Sequence, residues 1–593
     1  MQAYLATMDR FLDIQRTLLN TPPPAGGRAA SRFPLLGSVV SLVEGQELVA
    51  IRRLDLEEDL YLHDHTFGRQ VSLTDESLLA LAVVPFTVSM EMLAEAAAAL
   101  CPGQLVVGMR DVRGHQWIGL DDGHATVRLV ARRDPTGDGR EVKVELQRLG
   151  DDAAAGSESG TLVFEGVVCF ADSYPTPPAL TPLRLSAEQR YAQSAGALYS
   201  SGRMFHGPRF QGVISLARWG EDGTEATLET LPTHNLFAST PTPTLVTDPV
   251  LLDAAGQLVG FWAIERLRYG VGTFPFALKE LRLFGPSPAS GTPVRGQARI
   301  AFVNERQVRA EIDLVGPDGC LLAQLVGWSD HCLDLTKSLS QAMKSSQQEA
   351  ALGAPWKTMI DGLPAPEKFV CWRIDELPPD ALAAYGRIPQ RILAMWILSR
   401  RERATWAGLG GSEQRRSEWL VGQAAAKEAV RVVLRSWAVD LYPADIAVIA
   451  DENDNLVVAG GAGLERAPHV SLACCDGVAV ALASADPRCQ GVGIHLERID
   501  RTGDAGSGDE EWALRLRCAR EAAGKVLGRG PEGLADLAAA DLDLDSGVVR
   551  MSAGPATSLS TNGLGPESLI VRSVRDGDWI AAVAIRWEEP TDV

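Results

Sequence analysis

Two titratable side chains stand at the start of long apolar runs, and their types are those of a general base and a general acid. His65 lies in YLHDHTFGRQ (61–70), a polar segment followed by Val83-Val84-Pro85 and a run to Leu100 that is apolar on almost every face. Imidazole titrates near neutrality, so this histidine is the natural base. Asp253 stands near the start of a second such run, DPVLLDAAGQLVGFWAIERL (248–267), with Gln257 four residues further on. Positions i and i+4 share one helix face, so both side chains can point into one pocket. Burial beside an apolar helix raises a carboxyl pKa and keeps its proton near neutral pH, while the helix N-terminus pulls the other way. A base from one run and an acid from the other suit proton abstraction coupled to loss of a hydroxyl group. A lone buried His or Asp is more often a satisfied structural residue. Here each apolar run offers one titratable group near its start, and that pairing favours chemistry.

The elements that must position these groups follow from periodicity. A helix that is hydrophobic all round belongs in a core, so 86–100 and 249–266 are expected to be buried helices. Strand-like runs surround the first: LLGSVVSLVEGQELVAIRRL before it, then LVVGMRDV, HATVRLVARR, REVKVELQRLG and TLVFEGVVCF, separated by Asp/Gly turns. The proline-rich SYPTPPALTPL (173–183) marks a boundary, and the same order of strands, buried helix and strands repeats after it. That gives an α+β unit at 34–175 and a second at 176–335. Residues 1–33 read as an amphipathic helix with a Pro/Gly tether, and 336–365 as a linker. Residues 366–593 read as α/β, with helices around WLVGQAAAKEAVRVVLRSW and EWALRLRCAREAAGKVLG among short strands.

Composition narrows the partners. The net charge is 56 − 76 = −20, which argues against nucleic acid or an anionic membrane surface. Apolar stretches are broken by Glu or Gln before ~18 residues, so no membrane span is expected. The 9 cysteines show no pairs at zinc spacing and no secretory leader is evident, so reduced thiols in a cytoplasmic protein are expected.

The motifs HDHTFGR…VVPFTVSMEMLAEAA, FHGPRFQGV, DPVLLDAAGQ and TFPFALKELRLFGP, in that order over about residues 34–335, resemble the dehydratase domains of polyketide synthases. They look most like those of iterative, polyunsaturated-lipid-like synthases. The resemblance implies a tandem (double) hotdog, two central helices each wrapped by an antiparallel sheet. It also implies elimination of water from a β-hydroxyacyl chain carried on the phosphopantetheine of an acyl carrier protein, to give an enoyl thioester without a cofactor. By the same resemblance His65 takes the α-proton, Asp253 protonates the leaving hydroxyl and Gln257 assists. Gly68, Pro85, Gly207, Pro208 and Phe210 would shape the substrate pocket. Arg69 stands where the family's H-x-x-x-G segment has glycine. The implied partners are an acyl carrier protein and other synthase domains, and the sequence leaves room for a homodimer.

Residues 366–593 resemble the two-lobed phosphopantetheinyl transferases, through EWLVGQAAAKEAVR, PHVSLACCDGVAVALA, GVGIHLERI and AREAAGKVLG. That family's magnesium and coenzyme A would call on Glu497 and Glu521 as metal ligands and Lys525 at the cofactor. His495 occupies a carboxylate position, Cys474 a histidine position, Gln423 an arginine position and Arg520 a lysine position. A neutral imidazole is a poor magnesium ligand beside oxygen donors, so an inactive transferase-like domain is expected. The alternatives are an active transferase that modifies a carrier protein, a non-catalytic module that shapes a polyketide chain, and a hotdog thioesterase.

Overall fold

Helix α1 (Phe86–Leu100) is buried along nearly its whole length and starts at Pro85, whose ring cannot continue a helix backwards. Small residues (Ala94, Ala96, Ala97) let strands approach it closely. The computed structural model describes residues 33–587 other than 122, 134–138, 151–159, 268–270, 335–338, 340–351, 376, 378, 452–454, 460–466, 500–507, 529–536, 544–546 and 554–567. The N-terminal helix and its tether, and half of the 336–365 linker, lie outside the described residues; 352–365 instead carry a strand at Ala354–Pro355 and the buried Trp356 and Met359, so this stretch belongs to the C-terminal fold and not to a linker.

Around α1 the first half supplies β1 (Ser38–Val43), β2 (Glu47–Asp55), β3 (Thr66–Gln70), β4 (Leu79–Val83), β5 (Leu105–Gly114), β6 (Gly119–Leu120), β7 (His124–Arg133), β8 (Glu141–Arg148) and β9 (Thr161–Ala171). The second supplies α2 (Ala195–Ser200), β10 (Val213–Gly220), β11 (Gly223–Glu229), the buried α3 (Pro249–Arg266), β12 (Val271–Leu283), β13 (Pro293–Asn304), β14 (Gln307–Val315) and β15 (Leu321–Asp334). One sheet runs β1-β2-β7-β8-β9-β5-β12-β15-β14-β13-β11-β10. Outward from its β5–β12 seam both halves trace the same path, each pairing the strand after its helix with the last strand of that half. The seam is tight: a Cβ on Gly108 of β5 would stand 2.1 Å from the Leu281 carbonyl oxygen of β12, so only glycine fits there.

Two buried carboxyls on α1 pin loops rather than face water. Glu91 accepts hydrogen bonds from the Val246 and Thr247 amides and the Thr247 hydroxyl, at 2.5, 2.7 and 2.6 Å. This holds the loop that leads into α3, where Asp248 caps the helix by accepting from the Leu251 amide. Glu95 accepts from the Leu35 amide at 2.7 Å.

The C-terminal part contains β16 (Ala354–Pro355), β17 (Phe369–Ile374), α4 (Pro379–Ile397), α5 (Arg400–Gly408), α6 (Glu413–Ser436), β18 (Ala447–Ala450), β19 (Leu456–Ala459), β20 (His469–Cys475), β21 (Val478–Ser484), β22 (Cys489–Arg498), α7 (Gly508–Val526), β23 (Leu537–Asp543), β24 (Val548–Ala553), β25 (Ser568–Asp576) and β26 (Trp579–Trp587). Two larger sheets, β16-β17-β21-β20 and β22-β26-β25-β24-β23, form here, packed by α6 and α7 respectively. The α/β reading needs correction in its pairing: every neighbour in both sheets is antiparallel. Tight turns explain it, as at Asp476-Gly477 between β20 and β21, where both residues have positive φ.

The first half is less self-contained than its sequence boundaries imply. Strands β3, β4 and β6 form a small separate sheet, whose Phe67, Val71, Leu78, Leu81 and Val83 share a core with Trp372, Ile392, Trp396 and Leu420 of the C-terminal part. Polar contacts fix that junction. Asp445 accepts from the Ser72 and Thr74 hydroxyls and the Leu73 and Thr74 amides, at 2.5, 2.9, 3.0 and 3.1 Å. Burial pushes the Asp445 carboxyl up, but these donors outweigh it and hold its pKa below the ordinary value. Arg391 grips Asp121 with two hydrogen bonds of 2.8 and 2.6 Å, and Arg403 donates to the Leu79 carbonyl.

Asp445→Ala leaves those four donors without their ionised acceptor, and a loss of about 2–3 kcal/mol is expected from hydrogen bonds to a charged group. Breaking the exposed Asp75–Arg400 pair by Asp75→Ala should change stability by under about 1 kcal/mol. Urea denaturation of the two variants beside wild type measures the contrast.

Candidate active site

His65 follows a short 3-10 turn (Leu60–Asp64) and precedes β3. Its Nδ1 lies 2.7 Å from the Val83 carbonyl oxygen at the end of β4. A carbonyl only accepts, so the proton sits on Nδ1 and the Nε2 lone pair is left free. Phe205 and Phe210 meet the imidazole edge-on, at centroid distances of 5.0 and 5.7 Å. The ring is 9% exposed. Burial lowers its pKa to about 4, with the Val83 hydrogen bond acting in the opposite sense, so it is a neutral base at pH 7.

Asp253 lies on α3 five residues into the helix, also 9% exposed. Its Oδ2 accepts from Gln257 Nε2 at 2.8 Å. Gln257 is itself held at both ends of its amide: Nε2 donates to the Phe210 carbonyl at 2.7 Å, and Oε1 accepts from the Tyr199 hydroxyl of α2 at 2.5 Å. Desolvation raises the Asp253 pKa to about 7, with the Gln257 donor pulling it partly back. The opposing helix-dipole effect fades within the first turn, so at this depth in α3 burial wins.

Two loops bring these groups together. His206 Nε2 stands 3.4 Å from Asp253 Oδ2, and one donor atom each from His65, His206 and Asp253 falls within 4.8 Å of the others. Asp64, next to the base, accepts from the Gly207 side of the junction: its Oδ2 takes the Arg209 amide at 3.1 Å and guanidinium at 2.8 Å, while its carbonyl takes the Gly207 amide at 2.7 Å. A Cβ on Gly207 would meet Asp64 Oδ1 at 2.1 Å, so glycine is required for this close crossing.

The three groups open on a cavity of about 310 Å³ whose walls come from both halves, including Phe67, Trp117, Met204, Phe274 and Trp328. The pocket residues expected from sequence need correction: Gly68, Pro85, Gly207, Pro208 and Phe210 are not among those lining it. They stand one layer behind. Gly68, with φ of 100°, makes the irregularity between Phe67 and Gln70 in the β3–β4 pairing, and Pro85 starts α1. Gly207 and Pro208 line a smaller cavity of about 200 Å³ beside Asp64, and Phe210 packs against His65. His206, which the sequence leaves between lining the pocket and filling a turn, lines it, and the aromatic walls were the residues missed. Phe205-His206 directly precede the Gly207-Pro208 pair, so position beside that motif was the available signal.

His65, His206 and Asp253 are donor types that a transition metal accepts, though a carboxyl that keeps its proton to about pH 7 competes with the ion. In the C-terminal part, the two expected metal ligands do not fall in one ligand cluster. Glu497 groups with His495 and Cys518 rather than with Glu521. Arg517 clamps both Glu497 oxygens, and His495 Nε2 lies 3.4 Å from one. Lys525 donates to the Leu472 and Ile494 carbonyls at 2.7 and 2.8 Å, and its burial brings its pKa down to about 8. Cys474 donates to the Glu418 carbonyl. A guanidinium on the carboxylate and a thiol beside it do not suit a hard magnesium ion.

A buried base facing a buried acid across an apolar cavity defines a proton-transfer site. Residues 177–334 match the family described as polyketide synthase dehydratase N-terminal domain. That family is one of hydro-lyases acting on β-hydroxyacyl thioesters, and hydro-lyase is the enzyme class here. Its domains act on phosphopantetheine-bound chains, need no cofactor, and work with acyl carrier protein and other synthase domains. Among solved structures, a trans-AT polyketide synthase dehydratase domain from Brevibacillus brevis is similar at 18% identity and TM-score 0.40, covering 51% of this chain and 98% of that one. The dehydratase domain of the polyketide PpsC from Mycobacterium tuberculosis is similar at 22% and 0.38, covering 51% and 98%. The dehydratase domain from the CurF module of curacin polyketide synthase is similar at 21% and 0.39, covering 51% and 99%. No curated protein matches the chain. Among the described residues no helix is long and apolar enough to cross a membrane.

An NMR titration of labelled histidine tests the electrostatics. The His65 imidazole should stay neutral, with its proton on Nδ1, until the pH falls to about 4.

Proposed function

We propose that the chain dehydrates β-hydroxyacyl thioesters on an acyl carrier protein, within a double hotdog at 34–335. The observation that carries this is the opposed pair: an imidazole kept neutral by burial, with Nε2 free, and a carboxyl kept protonated by the same burial, over one cavity. His65 Nε2 takes the proton from the α-carbon, and the electron pair of that C–H bond becomes the second bond between the α- and β-carbons. The β-carbon–oxygen bond breaks as Asp253 delivers its proton, so water leaves. Gln257 holds the Asp253 carboxyl in register. The imidazolium then returns its proton to the aspartate, whose oxygen lies within the same 4.8 Å cluster, and the site is reset. His206 sits beside Asp253 Oδ2, where it can orient the carboxyl. Hydride and metal chemistry play no part in this scheme.

For 366–593 we propose a transferase-like unit that no longer transfers, and that braces the dehydratase. Support comes from the Arg517 clamp on Glu497, from the carbonyls that engage Lys525, and from the core that this part shares with β3 and β4. Val83 ends β4 and orients the base, so the brace acts on the catalytic histidine through one hydrogen bond.

His65→Ala and Asp253→Asn should each lower turnover of a β-hydroxyacyl carrier-protein thioester by about 100- to 10,000-fold, with circular dichroism unchanged. Wild-type rates in either variant would refute the assignment. Because the base must be neutral, kcat/KM should rise as pH increases through about 4. Because the acid must keep its proton, it should fall as pH increases through about 7. Incubation with apo carrier protein, coenzyme A and Mg²⁺ should give no mass gain on the carrier. A gain of one phosphopantetheine arm would show that 366–593 is an active transferase.

A further inference from the structure

The acid–base pair has a third neighbour that the elimination itself does not require. His206 Nε2 lies 3.4 Å from Asp253 Oδ2, longer than the about 2.7–3.2 Å of an ordinary N–H···O hydrogen bond. The His65 and His206 rings meet edge-on at 5.4 Å between centroids. One donor atom from each of the three residues lies within 4.8 Å of the other two. All three side chains are buried and all three line the cavity.

Two imidazole nitrogens and a carboxylate oxygen so placed outline one face of a tetrahedron. Zinc bonds such donors at about 2.0–2.1 Å, which sets neighbouring ligands about 3.3 Å apart. The His206–Asp253 edge already has nearly that length. The remaining edges are at most 4.8 Å, so small side-chain rotations close them.

The hydrogen bonds around the donors also match what a bound ion needs. A ligating histidine fixes its tautomer by giving its other N–H to a carbonyl or carboxylate, and a ligating carboxylate is itself hydrogen-bonded. His65 gives Nδ1–H to the Val83 carbonyl, which leaves Nε2 as its donor atom. Asp253 accepts from Gln257, which the Phe210 carbonyl and the Tyr199 hydroxyl hold in turn. Burial keeps both imidazoles unprotonated at neutral pH, His65 down to about 4 and His206 held well below its ordinary value. Imidazoles with a carboxylate suit zinc, cobalt, nickel or copper, whereas magnesium and calcium want oxygen ligands alone. The cavity leaves a fourth position to water or an anion. The other grouping of donors, His495, Glu497 and Cys518, is less open, because Arg517 already holds both Glu497 oxygens.

We propose that His65, His206 and Asp253 bind a divalent transition ion of the zinc class, and that the bound ion blocks dehydration. The ion takes the Nε2 lone pair that would remove the α-proton and displaces the Asp253 proton to solvent, so base and acid are lost together. The blocking step rests on the dehydratase reading, and the binding step rests on the donor geometry alone.

Full-length protein is stripped with a chelator and titrated with Co²⁺, whose d–d absorption reports donor type and coordination number, and then with Zn²⁺. Wild type should bind one equivalent with the intense visible bands of four-coordinate nitrogen and oxygen ligation, and Zn²⁺ should bleach them. His206→Ala and Asp253→Asn should each abolish the bands with circular dichroism unchanged. Gln257→Leu, which keeps all three ligands, should weaken binding by about 10- to 100-fold. Bands that both ligand substitutions leave unchanged, or a thiolate-to-cobalt band from Cys518 in their place, would overturn the site. Turnover of a β-hydroxyacyl thioester then separates the two steps. Zn²⁺ should stop dehydration over the concentrations that bleach the cobalt bands, and chelation should restore it. Undiminished turnover by zinc-loaded protein would overturn the block, whereas binding by a protein that never dehydrates would keep the site and sink the dehydratase reading.

Discussion

Five residue pairs join β5 to β12, from Arg113–Ala277 to Gly108–Arg282, and through them two half-sheets become one. His65 and Asp253 come from different halves, and the crossing of Asp64 with Gly207 and Arg209 completes their approach. The pairing sets α1 beside α3, and Glu91 then reaches from α1 into the loop that begins α3. A residue with a side chain at position 108 would push the seam apart at the Leu281 carbonyl. The acid–base distance is therefore a property of a strand register.

One physical cause produces both members of the proton-transfer pair. Removing water from a cavity disfavours whichever form of a group is charged. For imidazole that form is the acid, so His65 is left as a base; for carboxyl it is the base, so Asp253 is left as an acid. No separate charge is needed to tune either one. The hydrogen bond His65 donates to Val83 and the one Asp253 accepts from Gln257 both work against the shifts, and their part is orientation.

Much of this was legible in the chain. The all-apolar runs at 86–100 and 249–266 announced two core helices, and the i, i+4 spacing placed Gln257 on Asp253. Strand alternation in HATVRLVARR and REVKVELQRLG gave the sheet its order of elements. The cavity wall was not legible, because Trp117 comes from a loop and Phe274 and Trp328 from two strands far apart in sequence, and nothing local marks them as neighbours. Gly68, Pro85, Gly207, Pro208 and Phe210, expected to shape the pocket, stand behind its lining, since backbone-shaping residues and lining residues look alike in a string. The small β3-β4-β6 sheet was missed for a related reason: its strands are short, and their apolar partners lie in another part of the chain. Arg517 on Glu497 joins a helix to a strand 20 residues earlier, a contact that spacing alone does not give.

The bond between Ser72 and Asp445 spans 373 residues, and that separation sets an order of events during synthesis. Chains grow at about 5–20 residues per second, so roughly 20–75 s pass between the emergence of the two partners. Through that interval Val71 and Leu81 wait for the apolar partners that Trp372, Ile392 and Leu420 supply, while Phe67 can already rest on Trp117, Phe205 and Phe274. The seam between β5 and β12 can close earlier, when residue 283 has appeared. The β5–β12 scaffold can thus form while the junction between β4 and the C-terminal part is still to come, and it is that junction which presses on the strand that aims the base.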